Sequence, residues 1–152
     1  MAWHVALVPD SEEIAAVARI EWVEDALAAP LEPVKEFPFG GAEQVAFVNE
    51  LEVIHRRILQ SRPHYCLHIL ATKPEHQGKG AASSLLTHLA AMADARNAPV
   101  YIQATPSGVP LYKKWGWTET GEVLKAPVGV ATSADPHSDD AVFTMMIREP
   151  IS

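Results

Sequence analysis

Residues 74–86 read Pro-Glu-His-Gln-Gly-Lys-Gly-Ala-Ala-Ser-Ser-Leu-Leu, and this run carries the chain's clearest chemical pattern. An extended apolar stretch, Tyr65 to Ala71, leads into it, and a helical stretch, Ala82 to Arg96, follows. Between them, Gln77-Gly78-Lys79-Gly80-Ala81-Ala82 leaves the backbone bare of large side chains. Bare N–H groups at a helix start, aided by the helix dipole, make an anion site suited to phosphate. Glycines let a ligand approach the backbone closely and permit unusual φ angles.

Three glycine-rich turns compete for this segment. A nucleotide-triphosphate loop ends in Gly-Lys-Ser/Thr, and Lys79 is followed by Gly80. A dinucleotide fingerprint needs a third small residue and an acidic residue about 20 positions on. Gly78-x-Gly80-x-x-Ser83 matches in part, but the next strand ends around Gln103-Ala104-Thr105 without a carboxylate. The third pattern, Gln/Arg-x-x-Gly-x-Gly/Ala, is met in register by Gln77, Gly80 and Ala82. A second marker, Leu111-Tyr112-Lys113-Lys114-Trp115-Gly116-Trp117, follows the next strand.

On these two motifs the chain resembles the GNAT superfamily of N-acetyltransferases, well over 63–117 and more weakly to Arg148. The resemblance implies that Gln77, Gly78, Lys79, Gly80, Ala81, Ala82 and Ser83 hold the pyrophosphate of acetyl-coenzyme A. It implies that the coenzyme's amide groups pair with the backbone of Leu70, Ala71 and Thr72 like an added strand. A backbone N–H at Leu70 or nearby, where the strand bulges, would meet the thioester oxygen. The acceptor is expected to be a small-molecule amine. The alternatives are a degenerate member that binds acyl-CoA without turnover, and a protein or peptide N-acetyltransferase.

Acetyl transfer also needs a proton for the leaving thiol and a base for the amine. Tyr112 fits the acid, because a phenol has an ordinary pKa near ~10, and the family's matching tyrosine commonly has this role. His68 is the candidate base, with an ordinary pKa near ~6.5. Alternation puts it on one side of its strand with Cys66 and Leu70. Leu67-His68-Ile69-Leu70-Ala71 is similar to arylalkylamine acetyltransferases, where histidines on this strand relay protons. A structural histidine remains the competing reading. His64 is a second choice, and His76 is expected to be exposed beside the turn. Seven histidines with one cysteine, in scattered spacing, give no metal ligand set. Trp115 and Trp117 read as packing residues, and Asp135, Asp139 and Asp140 as solvated loop charges.

Composition narrows the class. The 152 residues suit one domain spanning 1–152. No run approaches the length of a membrane span, and no secretory signal is visible at Met1-Ala-Trp-His. Cys66 is the only cysteine, so no internal disulfide can form, and its apolar strand suggests a buried thiol. A cytoplasmic protein is expected. Net charge is −7 and uneven: 11 acidic and 2 basic side chains in 1–55, 2 and 8 in 56–118, 6 and 2 in 119–152. The positive segment carries the phosphate turn and suits a polyanionic ligand. The acidic flanks argue against nucleic acid.

The elements that must position these residues follow from periodicity. Trp3, Val5 and Leu7 alternate as a strand over 3–8. Asp10-x-x-Glu13 resembles a capping box for a helix over 11–27. A second helix is expected over 43–60, a strand over 65–71, a helix over 79–96 ended by Asn97, and a strand from Val100. A short helix over 108–115 and antiparallel strands at 119–124 and 141–148 close the chain, with a loop at 126–140. The fold class is α/β, a mixed sheet with helices on both faces. Only 28–62 is left for the family's usual antiparallel hairpin before the motif strand, so the hairpin is expected to be shortened or missing. A neighbouring subunit could then complete the sheet as a homodimer.

Overall fold

The computed structural model describes residues 1–36, 41–127 and 142–152. Strand β1 (Ala2–Leu7) forms where alternation places it, but residues 11–27 form no helix. Ile14–Val23 is strand β2, paired antiparallel to β1. Alanines favour helix in isolation, yet Ala16, Ala18 and Ile20 are buried at a period of two, and pairing on both edges of β2 decides the outcome. Asp10 has φ 58, a left-handed turn conformation tolerated by aspartate. The Val8 N–H donates to the Glu13 carbonyl at 2.8 Å, and the Glu13 N–H to Ser11 Oγ at 2.9 Å. The apparent capping box is thus the tip of a hairpin. The antiparallel pair expected to be shortened or missing is present as β1–β2.

The remaining elements lie close to expectation. They are α1 (Ala42–Leu59), β3 (His64–Thr72), a 3₁₀ turn (Pro74–His76), α2 (Ala81–Ala95), β4 (Val100–Ala104), α3 (Val109–Lys114), β5 (Thr118–Lys125) and β6 (Val142–Arg148). The fold is mixed α/β, with a six-stranded sheet in the order β1-β2-β3-β4-β6-β5. β3–β4 pair in parallel, β1–β2, β2–β3 and β5–β6 antiparallel. No helix among the described residues is long and apolar enough to cross a membrane. Of the loop expected at 126–140, residues 128–140, with Asp135, Asp139 and Asp140, lie outside the described residues.

Contacts divide the chain into two compact units. Unit one comprises 1–23, 64–102 and 148–152. Here α2 packs on β1, β2 and β3 through Leu85, Leu86, Leu89 and Ala93, all buried at helical spacing. Asn97 (φ 49) ends the helix, and the Ala98 N–H returns to the Ala93 carbonyl at 2.9 Å as in a left-handed helix cap. Behind the cap, Arg96 stacks 4.3 Å from the Trp22 ring centroid. The opposite sheet face keeps Trp3, Val5 and Leu7 about half exposed, with Arg19 over Trp3.

Asp94 fastens the end of α2 to the chain's last residues. Its carboxylate accepts from Arg148 at 2.8 and 3.1 Å and from the Ile151 N–H at 2.9 Å. Arg148 is buried, so its charge depends on this partner. The Arg148 hydrogen bonds, then that of Ile151, hold the Asp94 carboxyl below its ordinary pKa. Asp94→Asn is expected to destabilise the protein by about 1–2 kcal/mol, less than fully buried pairs because Asp94 keeps some solvent contact. A depressed carboxyl pKa adds stability that is present at neutral pH and lost as pH falls through the folded-state value. Urea melts at pH 7 and in acid should therefore show the two proteins converging in acid.

Unit two comprises 24–63 and 103–147. Phe47 of α1 packs with Ala126, Val48, Leu51, Leu124 and Phe143. Arg57 pairs with Glu122 of β5 at 2.9 Å, and the Gln103 amide donates to the Leu51 carbonyl at 3.3 Å.

Candidate active site

The site residues of unit one gather around the end of β3. The β2–β3 register runs from Val23↔His64 to Ala16↔Thr72 but slips once: Ile20 faces Leu67 and Arg19 faces Ile69. His68 is the extra residue of a β-bulge. The slip breaks the expected alternation. Cys66 shares a face with Ile69 and Ala71, while Leu70 shares the other with Leu67. Cys66 and His68 still meet, Sγ to Nδ1 at 4.0 Å, but Leu70 does not join them.

The bulge also changes which backbone groups are committed. The ladder from β3 to β4 covers Tyr65, Cys66 and Leu67 only, while β3 continues to Thr72. On the other side, the Lys73 N–H donates to the Ala15 carbonyl at 2.9 Å, which sets the phase of the antiparallel ladder. Every second residue then turns to β2, namely Ala71 towards Val17 and Ile69 towards Arg19. Leu70 and Thr72 turn their N–H and C=O groups away from β2. Of the three residues expected to pair with the coenzyme, Ala71 is thus occupied by the sheet, and Leu70 and Thr72 present their backbone outward.

The turn that follows is built for a close approach. Pro74–His76 makes one 3₁₀ turn, with the His76 N–H on the Lys73 carbonyl at 2.9 Å. Gly78 (φ 74) and Gly80 (φ 87) are left-handed, and a Cβ on either would meet nothing within 4 Å. Any other residue there would be strained by roughly 1–2 kcal/mol, with open space above. Gly80 caps α2 without a side chain, and no acid stands in the first turn. The Ser84 N–H is the first to find its intrahelical carbonyl, Gly80 at 2.9 Å. The N–H groups of Ala81, Ala82 and Ser83 precede it and have no helical acceptor. A diphosphate fits this cradle by charge and by room.

One side chain beside this backbone departs from expectation. His76 is not exposed: its side chain is 14 % accessible, and Nε2 lies 2.8 Å from Glu13 Oε1. Lys73 Nζ is 3.5 Å from the same oxygen, and Glu75 lies close enough that the three ligand atoms of Glu13, Glu75 and His76 fall within 4.8 Å. Hydrogen bonding to His76, then its charge and that of Lys73, lowers the Glu13 pKa; both partners sit on the same carboxylate oxygen. His68 Nε2 lies 2.7 Å from Glu21 Oε2, with both side chains about one-third accessible. His64 is fully buried.

Tyr112 belongs to unit two. It lies on α3, edge-on to Trp117 at 5.6 Å between ring centroids. A Cβ at Gly108 would sit 3.0 Å from Tyr112 Cε2, so the glycine makes room for the ring. Burial pushes the phenol up to about 12, which keeps it protonated and able to donate. Trp117 is 2 % exposed and Gly116 has φ 97, consistent with packing. The Trp115 indole N–H is buried without a partner among the described residues.

The acetyltransferase (GNAT) domain family matches residues 41–127. The chain belongs to the GNAT family. Solved structures agree with this GNAT fold. The mosquito arylalkylamine N-acetyltransferase like 5b superposes with a TM-score of 0.66 at 16% identity, covering 95% of this chain and 73% of that one. Chaetomium thermophilum Naa20, in complex with a bisubstrate analogue, gives 0.61 at 18%, covering 96% and 64%. The Corynebacterium glutamicum protein described as histone acetyltransferase HPA2 and related acetyltransferase gives 0.55 at 24%, covering 99% and 65%. The chain thus spans just under two thirds of the last two. No curated protein sequence matches it.

In this GNAT domain, sequence reasoning missed Glu21 and Glu13. Both were hidden by reading 11–27 as helix. Read as a strand, Glu21 faces Cys66 and stands one step from His68.

Proposed function

We propose that the protein is an acetyl-CoA-dependent N-acetyltransferase acting on the amine of a small molecule. One observation carries the reading: a bulged strand whose outward Leu70 and Thr72 backbone leads into an uncapped helix start with two left-handed glycines. The coenzyme would supply an activated acyl thioester. The N–H groups of 81–83, with Gly78 and Gly80, would hold its diphosphate. Thr72 and Leu70 would pair with the pantetheine amides, and the Leu70 N–H would stabilise charge on the thioester oxygen. His68, steadied by Glu21, would accept the amine proton, and Tyr112 would protonate the departing sulfur.

The expected missing hairpin had favoured a non-catalytic acyl-CoA binder. With β1–β2 in place, that argument falls away. Likeness to both Naa20 and an arylalkylamine acetyltransferase leaves the acceptor to experiment. Thiol release from acetyl-CoA should accelerate with a member of a small-amine panel and not with peptide N-termini. A peptide-only response would move the acceptor to protein N-termini, and binding without turnover would reinstate the non-catalytic reading.

A further inference from the structure

Acetyl transfer as proposed gives the acceptor amine a base but nothing to hold the rest of the molecule. Strand register supplies a surface for it in unit one. Trp3 lies opposite Arg19 and Arg19 opposite Ile69; Val5 lies opposite Val17 and Val17 opposite Ala71. Opposed residues share a sheet face, and alternation along β2 adds Glu21, which lies opposite Cys66. Glu21, with His68 on its carboxylate at 2.7 Å, thus stands in the row next to Arg19, about 7 Å along the strand. The rest of the face is apolar. Arg19 is half-buried in it, its guanidinium carbon 5.8 Å from the Trp3 ring centroid. Among the described residues Arg19 has no carboxylate partner. We propose that the acceptor is an apolar α-amino acid, with its amine at His68, its carboxylate on Arg19 and its side chain against Val17 and Ile69. The proposal rests on the acetyl-CoA reading and adds a determinant that reading does not require.

Three observations support it. A charge drawn partly out of water on an apolar surface gains more from a counter-ion than a fully exposed one, and Arg19 is the cation of this face. Its stack on Trp3 engages the flat side of the guanidinium and leaves the N–H edge open, the edge that takes a carboxylate through two bonds. The coenzyme does not supply that anion: its diphosphate is assigned to the start of α2, and α2 packs on the opposite face, over the buried Ala16, Ala18 and Ile20. The span also fits. An α-amino acid with one hydrogen bond at each end reaches roughly 8–9 Å, enough to bridge neighbouring rows. The N–C bond then forms as the thioester C–S bond breaks, with the proton transfers already assigned. Neither a peptide N-terminus nor a simple arylalkylamine carries a carboxylate beside its amine, so Arg19 separates this acceptor from both.

Thiol-release kinetics with matched acceptors test this: phenylalanine against phenethylamine, and leucine against 3-methylbutylamine. Wild-type kcat/KM should favour the amino acid of each pair by at least about tenfold, the low end for hydrogen bonds to a charged group, because Arg19 keeps some contact with water. Arg19→Met keeps length and contact with Trp3 without the charge. It should bring the members of each pair within about threefold, mainly by raising KM for the amino acid. Arg19→Lys keeps the charge without the fork and should fall between. Trp3→Leu, on the edge strand, removes the ring under the guanidinium and should lower the preference a fewfold, which guards against a folding defect at Arg19. Differences in amine pKa cancel in the change of ratio, and a purely structural role for Arg19 would move both acceptors together. A wild-type preference for the decarboxylated amines, or a ratio that no variant changes, overturns the proposal. If neither kind of acceptor is turned over, the proposal also fails, and calorimetry with acetyl-CoA separates the two failures: binding keeps the acyl-CoA reading, and no binding ends both.

Discussion

Replacing Leu70 by proline is expected to lower kcat for acetyl transfer by roughly 10²–10³ while leaving the fold intact. The prediction follows from ladder phase. Proline removes one backbone donor and fixes φ near −65°. At most positions of a central strand this breaks the sheet. At Leu70 the N–H turns away from β2, because Ala71 and Lys73 are the residues that pair there, and the β4 ladder has already ended at Leu67. The lost donor is therefore one the sheet does not use. Leu70→Ala, which keeps the N–H, separates loss of the side chain from loss of the donor and should retain most activity. Ala71→Pro is the converse: it removes the bond to Val17 and should lower Tm by several degrees. Thiol-release kinetics, with thermal melts of all three variants, decide the matter. A Leu70→Pro protein with wild-type kcat would remove Leu70 from the chemistry, and an unfolded one would refute the assigned ladder phase.

How much of this was legible in the sequence depends on the kind of signal. The turn at 77–83 was readable, because glycine types and helix periodicity are local properties, and Gly78 and Gly80 do take the left-handed conformations that only glycine adopts cheaply. The Asn97 stop was readable for the same reason. Residues 11–27 misled because two periods fit them. Ile14, Val17, Ala18 and Trp22 suit a helix; Ala16, Ala18 and Ile20 suit a strand. Only partners on both sides, β1 and β3, choose between them, and such partners are not local. The bulge at His68 was invisible in detail, since a register slip belongs to a pair of strands. That one slip reassigned Leu70 to the other face, and the strand assignment of β2 brought Glu21 beside His68. The chemistry types were thus written in the chain, but their grouping was written in the pairing.

Tyr112→Phe should lower kcat by roughly 10²–10³, with the KM for acetyl-CoA changed only a fewfold. Phenylalanine keeps the ring against Trp117 and beneath Gly108, so packing is retained and only the proton is lost. A packing role predicts the opposite pattern: a lower Tm with kcat kept. The raised pKa, about 12 through burial, adds a second check whose sign is fixed. The unfolded phenol ionises near ~10 while the folded one holds its proton, so the folded state loses relative stability as pH rises from about 10 to about 12. That loss reaches about 2–3 kcal/mol at 1.36 kcal/mol for each pKa unit. The variant has no phenol at this position and should escape it, so its melts at pH 11 should gain on wild type relative to pH 8. Below pH 10 the wild-type rate should show no alkaline fall from Tyr112, because the acid stays loaded. If Tyr112→Phe keeps full kcat and the wild-type pH profile, the sulfur takes its proton from another group, and the burial of this phenol serves the packing of α3 alone.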